Sequence, residues 1–283
     1  MLGRLSRELP YPILIKPQTQ ILFWPHAKGW VVRSPEGLRT AYERFTRSAH
    51  YGPALLARDP EVARPILQAY LPAAVRGIYN LCGFIDESGD LFAVRASRKV
   101  LQRPRQLGVG LCFEEAEVHA ALAAKLRTLC LQVGYYGAFE AEFVEDGGRS
   151  LLIDFNPRFY GQMAFDIARG LPLPLLVHQA ALGRKDRLRT LVDGAHLEGE
   201  PRGRVYCNRV ELAMMLRVQR MTGGMSAAEV QRWKSWASEH REVLTDAILD
   251  PADRKPGRAH FASEILHYLR HPRSLFEQLA SRI

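Results

Sequence analysis

Between residues 139 and 158 the chain reads Phe-Glu-Ala-Glu-Phe-Val, a turn containing Gly147 and Gly148, then Leu-Leu-Ile-Asp-Phe-Asn-Pro-Arg. Alternate residues of a strand face the same way. Glu140 and Glu142 therefore share one face, while Phe139, Ala141 and Phe143 share the other. On the return strand Asp154 and Asn156 face opposite to Leu151, Ile153 and Phe155. A turn near Gly148 sets Glu142 across from Asp154 and Glu140 across from Asn156, gathering three carboxylates and one amide. Opposed carboxylates repel, so this face calls for a cation or a basic partner. Oxygen donors without histidine or cysteine suit magnesium, which keeps some water and shares its shell with substrate phosphates. Pro157 ends the strand and leaves Arg158 beside the acids, with donors able to grip a phosphate or carboxylate. The bland alternative is a hairpin with one solvated acidic face.

Several elements must position this hairpin. Residues 11–17 (YPILIKP) read as a buried strand and 29–32 as a second; a helix runs from Ser34 to about Ser48, with Pro35 in its first turn. A weaker helix is expected over 60–67, then an extended segment over 67–71 stopped by Pro72. Residues 78–85 and 91–95 form a hairpin around Asp86-Glu-Ser-Gly-Asp. The most regular helix spans 115–133, where Val118, Leu122, Leu126, Leu129 and Val133 recur at helical spacing before Gly134. After about Lys185 the pattern turns helical. Ser226 with Glu229, and Ser274 with Glu277, match the capping box.

The chain has 283 residues, 47% of them hydrophobic, enough for one large domain or two intermediate ones. Residues 171–177 are too short an apolar run to cross a bilayer, and Pro172 and Pro174 interrupt them. Met1 to Glu8 has no apolar signal core, so a cytoplasmic protein without membrane attachment is expected. Cys82, Cys112, Cys130 and Cys207 form no CxxC pair and read as buried, reduced thiols, not zinc ligands. The net charge of +9 is mostly arginine, scattered through the tail and read as a solvated basic face. No helix-turn-helix, zinc finger or aromatic RNA-binding signature supports nucleic-acid binding.

The segment Leu152-Ile-Asp-Phe-Asn-Pro-Arg158, with Glu142 a dozen residues upstream, resembles the signature of the ATP-grasp family, shared by biotin carboxylase, carbamoyl-phosphate synthetase and D-alanine–D-alanine ligase. The resemblance implies an α+β fold of two subdomains clasping ATP, with Glu142, Asp154 and Asn156 holding magnesium against its phosphates. Asp154 replaces the more usual glutamate. Tyr11-Pro-Ile-Leu-Ile-Lys-Pro17 is similar to the family strand whose lysine, here Lys16, contacts phosphate. Gln68-Ala-Tyr-Leu71 resembles the adenine-binding linker, which implies contacts from Gln68, Ala69 and Leu71. Arg98-Lys99 with Pro104 and Gly108-Val-Gly110 looks like a carboxylate–amine ligase branch in which the basic pair faces the phosphates. Gly161-Gln, Gly170-Leu-Pro-Leu-Pro and His271-Pro-Arg-Ser fit the same branch.

The implied activity joins a small-molecule carboxylate to an amine through an acylphosphate, with Lys99 and Arg158 as the catalytic cations. The implied organisation is a lid subdomain and linker strand over 1–75, a core subdomain over 76–185, and a helical C-terminal appendage over 186–283. Three departures stand out. Fifteen residues precede Lys16 where the family usually carries a further domain, so a second copy or a partner chain is expected to complete the acceptor site. The loop after Lys16 is not glycine-rich; Lys28 and Gly29, with His26 nearby, stand in, and Phe23 and Trp24 would stiffen it. Ala74-Val-Arg-Gly77 replaces acids that often reach ribose. Two other readings remain at this point: a degenerate ATP-grasp protein that binds nucleotide or a partner without catalysis, and a basic nucleic-acid-binding protein.

Overall fold

The computed structural model describes residues 6–19, 23–24, 29–48, 50–103, 108–197, 202–250 and 252–270. His26, Lys28, Pro104, the segment 271–274 and the Ser274–Glu277 capping pair lie outside these residues. The chain divides into two compact units, Met1–Pro72 and Ala73–Ile283.

In the first unit, β1 (Ile13–Lys16) is the middle strand of three, antiparallel to β3 (Trp30–Val32) and to β5 (Ile66–Ala69). A two-residue strand, β2 (Phe23–Trp24), pairs with β4 (His50–Tyr51). Helix α1 (Pro35–Ser48) begins where expected, and the Ser34 hydroxyl accepts from Gly37 N–H at 3.4 Å. Leu38 and Phe45 of α1 bury against Ile13, Ile15 and Val32. In place of a weak helix over 60–67 the chain forms a 3₁₀ turn over Pro60–Ala63 and then enters β5; a short helix, α2 (Pro53–Arg58), precedes the turn. Pro60 is the reason. It drives Asp59 out of the helical region (φ −144°, ψ 89°), and the Asp59 side chain then caps the new turn.

The second unit is built on a seven-stranded sheet in the order β10-β9-β6-β7-β8-β11-β12. Its strands are β6 (Ile78–Ile85), β7 (Phe92–Arg103), β8 (Val109–Ala116), β9 (Gly137–Asp146), β10 (Arg149–Asn156), β11 (Val205–Cys207) and β12 (Leu244–Asp246). Neighbours are antiparallel except β11 and β12. Every residue of β6 is buried, consistent with its central run of apolar residues. One face is covered by α3 (Ala120–Gln132), whose Leu126 and Cys130 pack on Tyr79, Leu81, Phe139 and Phe143. The opposite face is covered in part by α4 (Met163–Ala168), α5 (Leu173–Ala181) and α6 (Lys185–Leu197), which bury Leu173, Leu176, Leu188 and Val192 against Cys82, Phe84 and Ala93.

The long helix begins five residues later than its apolar spacing suggests, because 115 and 116 belong to β8. Tyr79 holds the connection extended: its hydroxyl donates to Glu117 O at 2.8 Å and accepts from His119 N–H at 2.9 Å. Beyond α6 the described chain carries α7 (Arg209–Met221), α8 (Ala227–Glu239) and α9 (Lys255–Arg270). The Ser226–Glu229 capping box forms at the start of α8. Two short strands, β11 and β12, extend the main sheet from this region; at three residues each they are too short to show a period in sequence. Helices α7 and α8 pack on Leu101, Leu111, Cys112 and Cys207. All four cysteines are buried and free, and the Cys112 and Cys207 sulfurs lie 3.3 Å apart across the β8–β11 pair. Among the described residues no helix is long and apolar enough to cross a membrane.

Candidate active site

The acidic hairpin forms in the expected register. Asp154 lies opposite Glu142, and Asn156 opposite Glu140. Gly147 (φ 56°) and Gly148 (φ 74°) make the tight turn, two successive left-handed residues that only glycine adopts readily. One detail departs from simple alternation. The register shifts between Leu152 and Asp154, so Leu152 faces Phe143 and Leu151 faces Val144. Leu152 and Phe155 thus lie on the side of Phe143 and Ala141, with Leu152 itself 41% exposed, and Leu151, Ile153 and Phe155 do not share one face; the extra residue of a bulge reverses the parity of everything beyond it.

The floor beside the hairpin comes from β6 and β7. Glu142 is paired with Asn80 of β6, and Asn80 in turn with Ser97 of β7. Two residues further on, Lys99 donates to Glu142 Oε1 at 2.7 Å, with side-chain exposures of 5% and 15%. A second register irregularity begins at Lys99, where β7 passes β8. Bulges of this kind concentrate beside active sites, where they re-aim side chains.

Arg98 does not accompany Lys99. It points to the opposite face of the sheet, 2.9 Å from Glu145 and stacked over the Tyr79 ring at 5.6 Å. Consecutive strand residues cannot face the same phosphates, which removes Arg98 from the expected basic pair.

Glu140 is almost fully buried and accepts hydrogen bonds from the Gln162 amide and from Asn156 Nδ2, the latter at 3.1 Å. Burial, and then the neighbouring Glu142, push its carboxyl up to about 7. The Asn156 carbonyl accepts from Arg158 at 3.1 Å, and Arg158 also donates to Phe159 O at 2.9 Å. Arg158 and Asp154 are exposed, so a ligand can reach both. Asn80 is the anomaly. It is fully buried, and neither its amide nitrogen nor its oxygen has a hydrogen-bond partner among the described residues.

A buried ionic cluster lies on the same unit. Arg169 pairs with Asp166, donates to Ala96 O at 2.7 Å and sits 3.6 Å from Glu115. The Tyr160 hydroxyl donates to Asp166 at 2.5 Å, and Arg95 donates to the carbonyls of Arg169 and Ala195. These bonds tie α4 and α6 to the sheet. Sequence reading missed Asn80, Arg95, Asp166 and Arg169; the available signal was a polar or charged residue inside an apolar strand run, as at Arg95 in Phe92-Ala-Val-Arg.

The remaining expected residues belong to the first unit. Lys16, half-buried, ends β1 opposite Ile66; Gln68 pairs with Leu14 and Ala69 with Ile13. Leu71, also half-buried, follows β5, whose end is held by Tyr70 N–H donating to Pro12 O at 2.9 Å.

Among the described residues no three His, Cys, Asp or Glu side chains come together to hold a metal. The smaller set on the hairpin, two opposed carboxylates and one amide, fits magnesium, which binds few protein groups and takes its other positions from water and phosphate.

No family model matches this sequence, and no curated protein matches it. Solved structures do. The chain is similar to the biotin carboxylase domain of Hydrogenobacter thermophilus 2-oxoglutarate carboxylase, solved with magnesium ADP and bicarbonate, at 18% identity over 56% of this chain and 33% of that one, TM-score 0.40. It is also similar to a pyruvate carboxylase from Rhizobium etli at 16% identity, over 69% of this chain and 15% of that one, TM-score 0.44. A third is N5-carboxyaminoimidazole synthetase from Staphylococcus aureus with ADP, at 12% identity over 58% and 40% of the two chains, TM-score 0.41. The match spans about a third of the length of the first of these. Likeness so partial transfers no chemistry, which has to come from the residues themselves.

Proposed function

We propose that this chain is an ATP-grasp ligase that uses ATP and magnesium to activate a small-molecule carboxylate and join it to an amine. The observation that carries this reading is the pairing of Glu142 with Asp154 across the hairpin, with Lys99 on the first and Arg158 beside Asn156. Glu142, Asp154 and Asn156 would hold magnesium, which supplies charge neutralisation for phosphate oxygens. In the reaction, a carboxylate oxygen attacks the γ-phosphorus and ADP leaves; an amine then attacks the acyl carbon and phosphate leaves. Such chemistry depends on positioning and on neutralising charge, not on an enzyme nucleophile.

Lys99 and Arg158 are the cations for that task. Lys99 already neutralises Glu142, and Arg158 is accessible with its fork of donors. By resemblance, Lys16 takes phosphate, while Gln68, Ala69 and Leu71 take adenine. Arg98, 2.9 Å from Glu145, is left out of this reading.

Two measurements test the proposal. ATP with magnesium should raise the melting temperature, and ATP with EDTA should not. ADP release should then require both a carboxylate and an amine. Stabilisation without acceptor-dependent release would favour a nucleotide-binding protein without catalysis. Absence of any nucleotide effect would overturn both readings.

A further inference from the structure

We infer that the second unit carries a binding cavity for a compact carboxylate with a short apolar body, built jointly by β7 and α8. The cavity measures ≈ 320 Å³, and its walls include Val75, Lys99, Leu101, Gln102, Arg232 and Trp233. That is the small end of the usual range for small-molecule sites, roughly 300–1,000 Å³.

Its chemistry is one-sided. Arg232 brings a guanidinium and Gln102 an amide, Lys99 lines it with its ammonium paired to Glu142, and among the described residues no aspartate or glutamate lines it. Trp233 also lines the cavity. The residue is 8% exposed, yet its indole nitrogen is buried and has no hydrogen-bond partner among the described residues. Buried tryptophan N–H groups ordinarily find an acceptor. Its neighbour Trp236 does, donating to Glu114 at 2.7 Å.

The Arg232 guanidinium stands 5.8 Å from the centre of the Trp233 ring. A flat cation over a flat ring offers parallel donors to a planar carboxylate more readily than to a tetrahedral anion. Val75 and Leu101 give the rest of the molecule an apolar wall. The ligand is therefore a single planar anion on a small apolar body, without a positive charge.

Lys99 joins this cavity to the acidic face, since its ammonium rests on Glu142 at 2.7 Å. Naming the ligand as the carboxylate to be activated rests on the ligase reading; the existence of the cavity does not.

The test is calorimetric titration of the full chain with benzoate, with 3-methylbutanoate and with inorganic phosphate. We expect at least one of the two carboxylates to bind, phosphate to bind more weakly, and ATP not to displace the carboxylate. Arg232→Gln, a change at an exposed side chain, should weaken carboxylate binding at least about tenfold and leave affinity for magnesium ATP unchanged. Failure of both carboxylates, equal or tighter binding of phosphate, displacement by ATP, or wild-type carboxylate affinity in the variant would each overturn the inference. If magnesium ATP fails to bind while the carboxylate pattern holds, the ligase reading falls and the cavity stands.

Discussion

The Lys99 ammonium lies 2.7 Å from Oε1 of Glu142, and both side chains are largely withdrawn from solvent. Glu142 comes from β9 and Lys99 from β7, with β6 lying between them. The contact resolves the repulsion that the hairpin would otherwise suffer, because a basic partner sits where a cation was expected.

Lys99→Met keeps most of the stem and removes the charge, leaving Glu142 without its partner. Urea unfolding should show a loss of about 2–3 kcal/mol, below the full cost of breaking a buried pair because Glu142 keeps some solvent. The double variant Lys99→Met, Glu142→Gln should recover much of that loss. An additive double variant would mean that the two residues are not coupled.

Asp154→Asn changes an exposed carboxylate on the same hairpin, so stability should stay within about 0.5 kcal/mol. Magnesium-dependent ATP affinity should fall by at least about tenfold. Equal ATP affinity in the wild type and the variant, measured by calorimetry in magnesium, would remove Asp154 from the metal site.

Gly83 sits in the buried central strand, and a β-carbon there would lie 2.2 Å from the Ala93 carbonyl oxygen and 2.8 Å from Val94 Cγ1. Backbone cannot step aside as a flexible side chain can. Gly83→Ala should therefore cost about 1–3 kcal/mol. A melting temperature equal to wild type would show that β6 and β7 can separate locally without loss.

Asp166→Asn breaks the buried pair with Arg169 and weakens the acceptor of the Tyr160 hydroxyl. Arg169 would keep its charge at 2% side-chain exposure, with Glu115 at 3.6 Å as its remaining acidic neighbour. The expected loss is about 3–5 kcal/mol by thermal or urea unfolding. A stability change under about 1 kcal/mol would mean that Glu115 and the Ala96 carbonyl suffice to hold Arg169.

The sequence by itself determined the two strands of the hairpin and its glycine turn. Period-two alternation and turn chemistry are local, so a single stretch of chain carries the whole signal. The same holds for β6, α1 and the capping box of α8. It did not determine the bulge at Leu152–Asp154, which depends on how β10 settles against β9 and which brings Asp154 opposite Glu142.

Tertiary structure alone decided which neighbours the acids meet. Lys99 and Arg98 are adjacent in sequence yet lie on opposite faces of the sheet, one on Glu142 and the other on Glu145. Asn80 and Glu142 are brought together by the β6–β9 pairing. Arg232 and Trp233, far along the chain in α8, line a cavity with β7 residues more than a hundred positions earlier. Pairing between distant strands follows from packing the whole core, and no local period encodes it.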